Sequence, residues 1–181
     1  MKYFLLFTIV FYCFTDTYSQ EYKTKSGPVI KDFGQVYKIN KPDLLLEKNK
    51  KYKIIFDVYT DEKSFKKINP SINTVARFLN MHAQEKIKPE DLNIVLVLHG
   101  AATKNVLTDS AFNRKFKVKN PNTELIKALT KVNVKVFVCG QSFADKGYHV
   151  KDLSKNVKIS LSALTALVHF QSEGYQLITF N

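Results

Sequence analysis

Apolar positions along the chain fall into two recurring patterns: short β-branched or aromatic runs, and longer stretches spaced three and four apart. "YKIIFDVY", from residue 52, is the first run and predicts a strand. In "INPSINTVARFLNMHAQEK", Ile68, Ile72, Val75, Ala76, Leu79 and Ala83 share one helical face. Asn69 caps this helix, and Pro70 occupies the first turn, where no amide hydrogen is needed. "LNIVLVLHG" is nearly continuous and ends at His99-Gly100, which predicts a central strand buried on both faces. A polar stretch follows, with a short helix around 106 to 116. "NPNTELIKALTKVN" repeats the capping arrangement with Asn120 and Pro121 and buries Leu125, Ile126, Leu129 and Val132. "VKVFVCG" is a third strand, and a short fourth lies near Val157 to Ile159. "SALTALVHFQSEG" is a helix closed by Gly174, where a left-handed residue is needed, and "YQLITF" is the last strand.

Strands alternating with helices predict an α/β fold with a mostly parallel sheet of about five strands and right-handed crossovers. In such sheets ligands bind outside the carboxyl ends of the strands. His99 ends the second predicted strand and Cys139 the third, so both face that edge. The chain has 181 residues and is 45% hydrophobic, which suits one domain, assigned to residues 51–181. Residues 20–50 hold Gly27-Pro28, Gly34 and Lys41-Pro42-Asp43 between short apolar pieces, and read as an extended N-terminal arm.

The first residues are organised differently. Lys2 precedes an uncharged apolar run from Tyr3 to Phe14, followed by small and polar residues, the layout of a secretory signal peptide. Thr17 and Ser19 stand where a cut before Gln20 requires them, so residues 1–19 are expected to be removed and the protein to be periplasmic or secreted. The run is shorter than the roughly 20 residues of a membrane span, so no stable membrane insertion is expected after cleavage. Cys13 follows Phe11 and Tyr12 instead of the small residues that precede a lipid-bearing cysteine.

Cleavage removes Cys13 and leaves Cys139 as the one cysteine of the mature chain, unable to form an internal disulfide. A free cysteine is commonly a small buried hydrophobe. Here Gly140 to Ala144 begin a helix directly after the strand, and its free amides favour a thiolate, with a pKa below the free value of about 8.5. On this position the thiol is expected to be partly accessible. His99 reads either as a base or cation beside the thiol, or as a structural group at its strand end.

Net charge is +12, but of the 28 basic residues all except Arg77 and Arg114 are lysine, spread through the chain. No motif of a nucleic-acid-binding module is present, and export removes the usual nucleic-acid partners. A lysine-rich solvated face, or loose attraction to an anionic envelope surface, is the simpler meaning. His82, His149 and His169 lie far apart and lack metal-ligand spacing, so no metal is expected. Asp57 and Asp61, around the end of the first strand, read as turn caps before they read as metal ligands. The absence of G-x-S-x-G, G-x-x-x-x-G-K-[ST] and G-x-G-x-x-G argues against a common hydrolase, a P-loop enzyme and a dinucleotide enzyme; no cofactor is expected.

"NIVLVLHGAAT", "NPNTELIKALTKVNVKVFVCGQSFADKGY" and "LSALTALVHFQSEGYQLITF" resemble, in order and spacing, the DsrE/DsrF-like family, specifically its exported Bacteroidetes-type branch. The resemblance runs from about Tyr52 to Phe180 and is most specific at "VCGQS" with Lys146-Gly147. It implies a three-layer α/β/α sandwich, a homotrimer or homohexamer, and sulfur relay as a persulfide on Cys139, with donor and acceptor thiols or proteins outside the chain. His99, Asn120, Gly140, Gln141 and Ser142 then line or support the same edge as orienting or ligand-binding groups. Two other readings remain beside this sulfurtransferase-like one. In one, a noncatalytic module holds a small anion in that crevice; in the other, an oligomeric envelope protein works through its basic surface.

Overall fold

The computed structural model describes residues 23–61 and 64–180. The expected signal peptide and its cleavage site lie outside these residues.

Five parallel strands form one sheet in the order β4-β3-β2-β1-β5: β1 Tyr52–Val58, β2 Leu92–Leu98, β3 Lys135–Cys139, β4 Val157–Ser160 and β5 Gln176–Thr179. The α/β expectation holds, and the sheet is wholly parallel. Five helices connect the strands: α1 Pro70–Gln84, α2 Asp109–Phe116, α3 Thr123–Lys131, α4 Gly140–Asp145 and α5 Ala163–Ser172.

Side chains of a strand alternate between faces, which divides the core in two. Ile54, Phe56 and Val58, with Ile94, Leu96, Leu98, Val136 and Val138, pack beneath α1 and α3. Ile55, Val95, Val97 and Cys139 pack on the opposite face against Ala163, Ala166 and Phe170 of α5. Two helices over one face and one over the other make the three layers, and the single helix leaves that second side thinly covered. Leu161, Leu164 and Val168 remain exposed there.

Helix starts follow local chemistry. The Asn69 side chain accepts from the amides of Ser71 and Ile72, as expected of a cap. Gly174 takes φ +87 after α5 and terminates it. The α3 expectation needs correction: the helix begins at Thr123, after Asn122, and Asn120 does not cap it. Asn120 is buried, accepts from the Asn122 amide at 2.9 Å, and donates to the carbonyls of Asn105 and Leu107, each at 2.8 Å. A buried amide must satisfy both of its ends, and these carbonyls claim its donor end.

The arm between residues 23 and 50 folds back onto α1. Lys25 and Val36 form an antiparallel bridge, and Ile30 and Val36 are buried. The Asn80 side chain clamps this loop, accepting from the amides of Val29 and Ile30 and donating toward the carbonyls of Ile30, Phe33 and Gly34. Gly27 lies so close that a Cβ there would stand 1.8 Å from the Asn80 amide carbon.

Candidate functional site

Cys139 is the last residue of β3 and pairs with Ser160 of β4. The chain turns directly into α4, so Cys139 is also the residue before that helix, and its sulfur accepts from the Ser142 amide at 3.4 Å. Gly140 makes the turn possible. A Cβ on it would meet the Ser160 carbonyl oxygen at 2.7 Å and the Leu161 carbonyl oxygen at 3.2 Å. Only a residue without a side chain lets α4 start so close to the end of β4.

Burial of Cys139 pushes its pKa up, but hydrogen bonds from the Ser142 hydroxyl and from the backbone of Ser142, Ala163 and Gln141 outweigh it. The net shift is downward from the ordinary thiol value. Donors arrive from two directions: the first turn of α4 and the first turn of α5. The first was expected from sequence. The Ala163 contribution was not, because it depends on α5 packing over the end of β3.

The expected partial accessibility differs from what the fold provides. Cys139 is only 5% exposed, enclosed by the two helix starts that supply its donors. Reaching the sulfur therefore requires a narrow approach or a small displacement of those turns.

Ser142 joins the thiol to the neighbouring strand. Its hydroxyl accepts from the Gly100 amide at 3.2 Å and also favours the thiolate of Cys139. Gly100 has φ +53, and a Cβ there would overlap the Tyr59 ring at 2.3 Å. His99, just before it, places Nε2 2.8 Å from Asp57 Oδ1 and lies against Tyr59 with ring centroids 5.1 Å apart. Asp57 thus orients His99, a role the sequence reading did not assign. Asp61 pairs with Lys104 as a buried ion pair.

The structure therefore brings Cys139, Gly140 and Ser142 into one constellation and connects His99 to it through Gly100. Gln141 contributes its backbone, while its exposed side chain reaches the Leu161 carbonyl at 3.4 Å. Asn120 is not brought to the thiol by any contact among the described residues; its side chain is consumed beneath the loop that follows β2. Among the described residues no group of three or more His, Cys, Asp or Glu side chains is arranged to hold a metal ion.

The model of the DsrE/DsrF-like family matches residues 50–180. Solved structures that share the fold include two of similar extent. One is the protein of unknown function MTH1491 from Methanobacterium thermoautotrophicum, 18% identical with a TM-score of 0.52; the other is the ychN protein from E. coli, 19% identical with a TM-score of 0.52. Each comparison covers 71% of this chain and 99% of the other. No curated protein matches the chain.

Proposed function

The chain belongs to the DsrE/DsrF-like family, which is associated in general with sulfur relay, and from that premise we propose that it carries sulfane sulfur as a persulfide on Cys139. The observation that carries this reading is the set of donors gathered at one sulfur. A group buried to this degree would ordinarily be held neutral, yet the Ser142 hydroxyl and three backbone amides favour the anion. The Cys139 thiolate attacks the terminal sulfur of a polysulfide, a sulfur–sulfur bond of the donor breaks, and the shortened polysulfide leaves with the electron pair. The same donors then stabilise the persulfide anion. Discharge reverses the logic: an external thiolate attacks the outer sulfur and Cys139 leaves as thiolate, with no net oxidation.

The sulfur donor and acceptor belong to other molecules, since the mature chain expected after cleavage at Gln20 has no second cysteine. We assign it to the periplasm or the extracellular space on the pattern of residues 1–19. Self-association as a trimer or hexamer is part of the same proposal, and the exposed Leu161, Leu164 and Val168 supply an apolar face for it. That face adjoins Ala163, so a neighbouring subunit would lie close to the entrance of the thiol site.

The low exposure of Cys139 favours a second reading, in which the crevice binds a small anion through the same amides and the thiol only packs. One experiment separates the two. Intact mass spectrometry of the native protein before and after polysulfide treatment should show added sulfur that reductant removes, and none on Cys139→Ser. A native thiol that resists polysulfide and alkylating reagents until the protein is unfolded supports the binding reading instead.

A further inference from the structure

The opposite end of β3 carries a different kind of chemistry. Between the last turns of α3, the start of β3 and the turn into β4 lies an open cleft of about 690 Å³, and its rim holds Lys127, Lys131, Lys135, Lys155 and Lys158. Buried Val134 and Val136 form part of its floor, and no aspartate or glutamate lines it. Lys127 makes a loose 3.5 Å pair with Glu124, both side chains being well exposed. The side chains of the other four make no hydrogen bond or ion pair among the described residues. Elsewhere some lysines have partners, Lys51 with Asp91, Lys104 with Asp61, Lys50 with Glu47 and Lys53 with the Glu173 carbonyl, while side chains such as those of Lys38 and Lys66 stand exposed without one among the described residues. The cleft is set apart by gathering five lysines around a single concavity.

General roles explain only part of this cluster. Lys158 lies on an edge strand, where lysine discourages sheet-to-sheet pairing. Lys131 lies in the last turn of α3, where a cation complements the helix dipole. Neither role accounts for Lys135 on an interior strand, nor for Lys127 and Lys155 facing the same cleft. Like charges gathered around one concavity repel one another and raise the local concentration of anions. A singly charged anion leaves most of that repulsion in place, whereas adjacent phosphate groups offer several charges at once. Ammonium groups act as point charges toward phosphate oxygens and need no forked geometry.

We propose that this cleft binds an anion bearing several phosphate groups. It is a site separate from the thiol, because Lys135 and Cys139 occupy opposite ends of one strand, roughly 13 Å apart at about 3.3 Å per residue. The ligand is either a soluble polyphosphate or the phosphate headgroup of a membrane lipid, two sources with one chemistry.

Calorimetric titration with inorganic tripolyphosphate and with orthophosphate tests the soluble source, and co-sedimentation with phosphatidylcholine vesicles with and without cardiolipin tests the headgroup. The charge-reversed pair Lys135→Glu/Lys158→Glu is compared with Lys38→Glu/Lys66→Glu, exposed lysines away from the cleft that change the net charge equally. Saturable binding that falls by about tenfold or more in the cleft pair and changes by less than about twofold in the control pair is expected. Orthophosphate should bind at least about tenfold more weakly than tripolyphosphate. Retention on cardiolipin vesicles without tripolyphosphate binding identifies the headgroup as the source. Should the reversed pair fail to fold by circular dichroism, Lys127→Gln/Lys155→Gln replaces it with the same criterion. Absence of saturable binding in both arms, or equal loss in cleft and control pairs, overturns the proposal.

Discussion

The amide of Ser142 stands 3.4 Å from the sulfur of Cys139, and the hydroxyl of the same serine is held between that sulfur and the Gly100 amide. One residue thereby couples the thiol to the end of β2. Replacing it by alanine keeps the backbone donor and removes the hydroxyl. Because a hydrogen bond to a charged group contributes about 1.5–3 kcal/mol, Ser142→Ala should slow alkylation of the native thiol at neutral pH by about tenfold. Its rate-versus-pH profile should move to higher pH. An unchanged profile would show that the backbone donors alone hold the thiolate.

The same donors tie the thiol to folding. The folded pKa lies below the unfolded one, so the folded state loses its proton first and gains stability as pH rises between the two values. This contribution is present above the unfolded value of about 8.5 and is lost as pH falls through the folded value. Denaturant titrations of wild type and Cys139→Ser across that window should show the difference growing with pH. A difference that shrinks as pH rises would contradict the downward shift.

Gly140 offers a steric test. A methyl group at this position would press on the Ser160 carbonyl oxygen at 2.7 Å, a backbone atom that cannot swing aside. Gly140→Ala should therefore destabilise the fold by about 1–3 kcal/mol. It should also disturb the thiol, since the strand ends that must separate are those pairing Cys139 with Ser160. Thermal melting and native alkylation rates measure the two effects, and a variant as stable and as reactive as wild type would remove the role given to this glycine.

Much of the frame was legible because its signals are local. The continuous apolar run of β2, the capped start of α1 at Asn69 and the cysteine-to-glycine transition after β3 each depend on neighbours within a few residues. What was not legible depends on which distant segments meet. Asp57 reaches His99 only because β1 and β2 pair in a register that sets Asp57 beside Val97. Ala163 serves Cys139 only because α5 crosses the end of β3. Asn120 looked like a helix cap by its place before proline, yet the loop after β2 supplies two carbonyls that take its side chain. The burial of Cys139 has the same origin: the helix starts that provide donors also enclose it.

Asn80 carries a prediction about the arm. Its amide oxygen accepts from two backbone amides and its nitrogen faces three carbonyls, all on the segment from Val29 to Gly34. Asn80→Asp preserves size but replaces the donor by a second acceptor, which sets oxygen against those carbonyls. The cost should be about 2 kcal/mol or more, lowering the melting temperature by roughly 4–8 °C. Limited proteolysis should cut first within the arm. A variant that melts with wild type, with its arm protected, would show that burial of Ile30 and Val36 suffices to hold it.

His82 makes the fold sensitive to acid. Its ring stacks on Phe78 at 3.8 Å between centroids, and Nδ1 donates to the Phe78 carbonyl at 2.8 Å. Burial pushes its pKa down, only partly opposed by that hydrogen bond, and the net shift is downward from the ordinary histidine value. The unfolded chain therefore binds a proton more readily than the folded one. Stability associated with the neutral ring is present above the unfolded value of about 6.5 and is lost as pH falls through the lower folded value. Thermal melts at a series of pH values should show wild type losing more stability below about pH 6.5 than His82→Gln, which has no ring to titrate. Parallel curves for the two proteins would assign the acid sensitivity to other groups, and a wild type that gains stability in this window would reverse the sign of the shift.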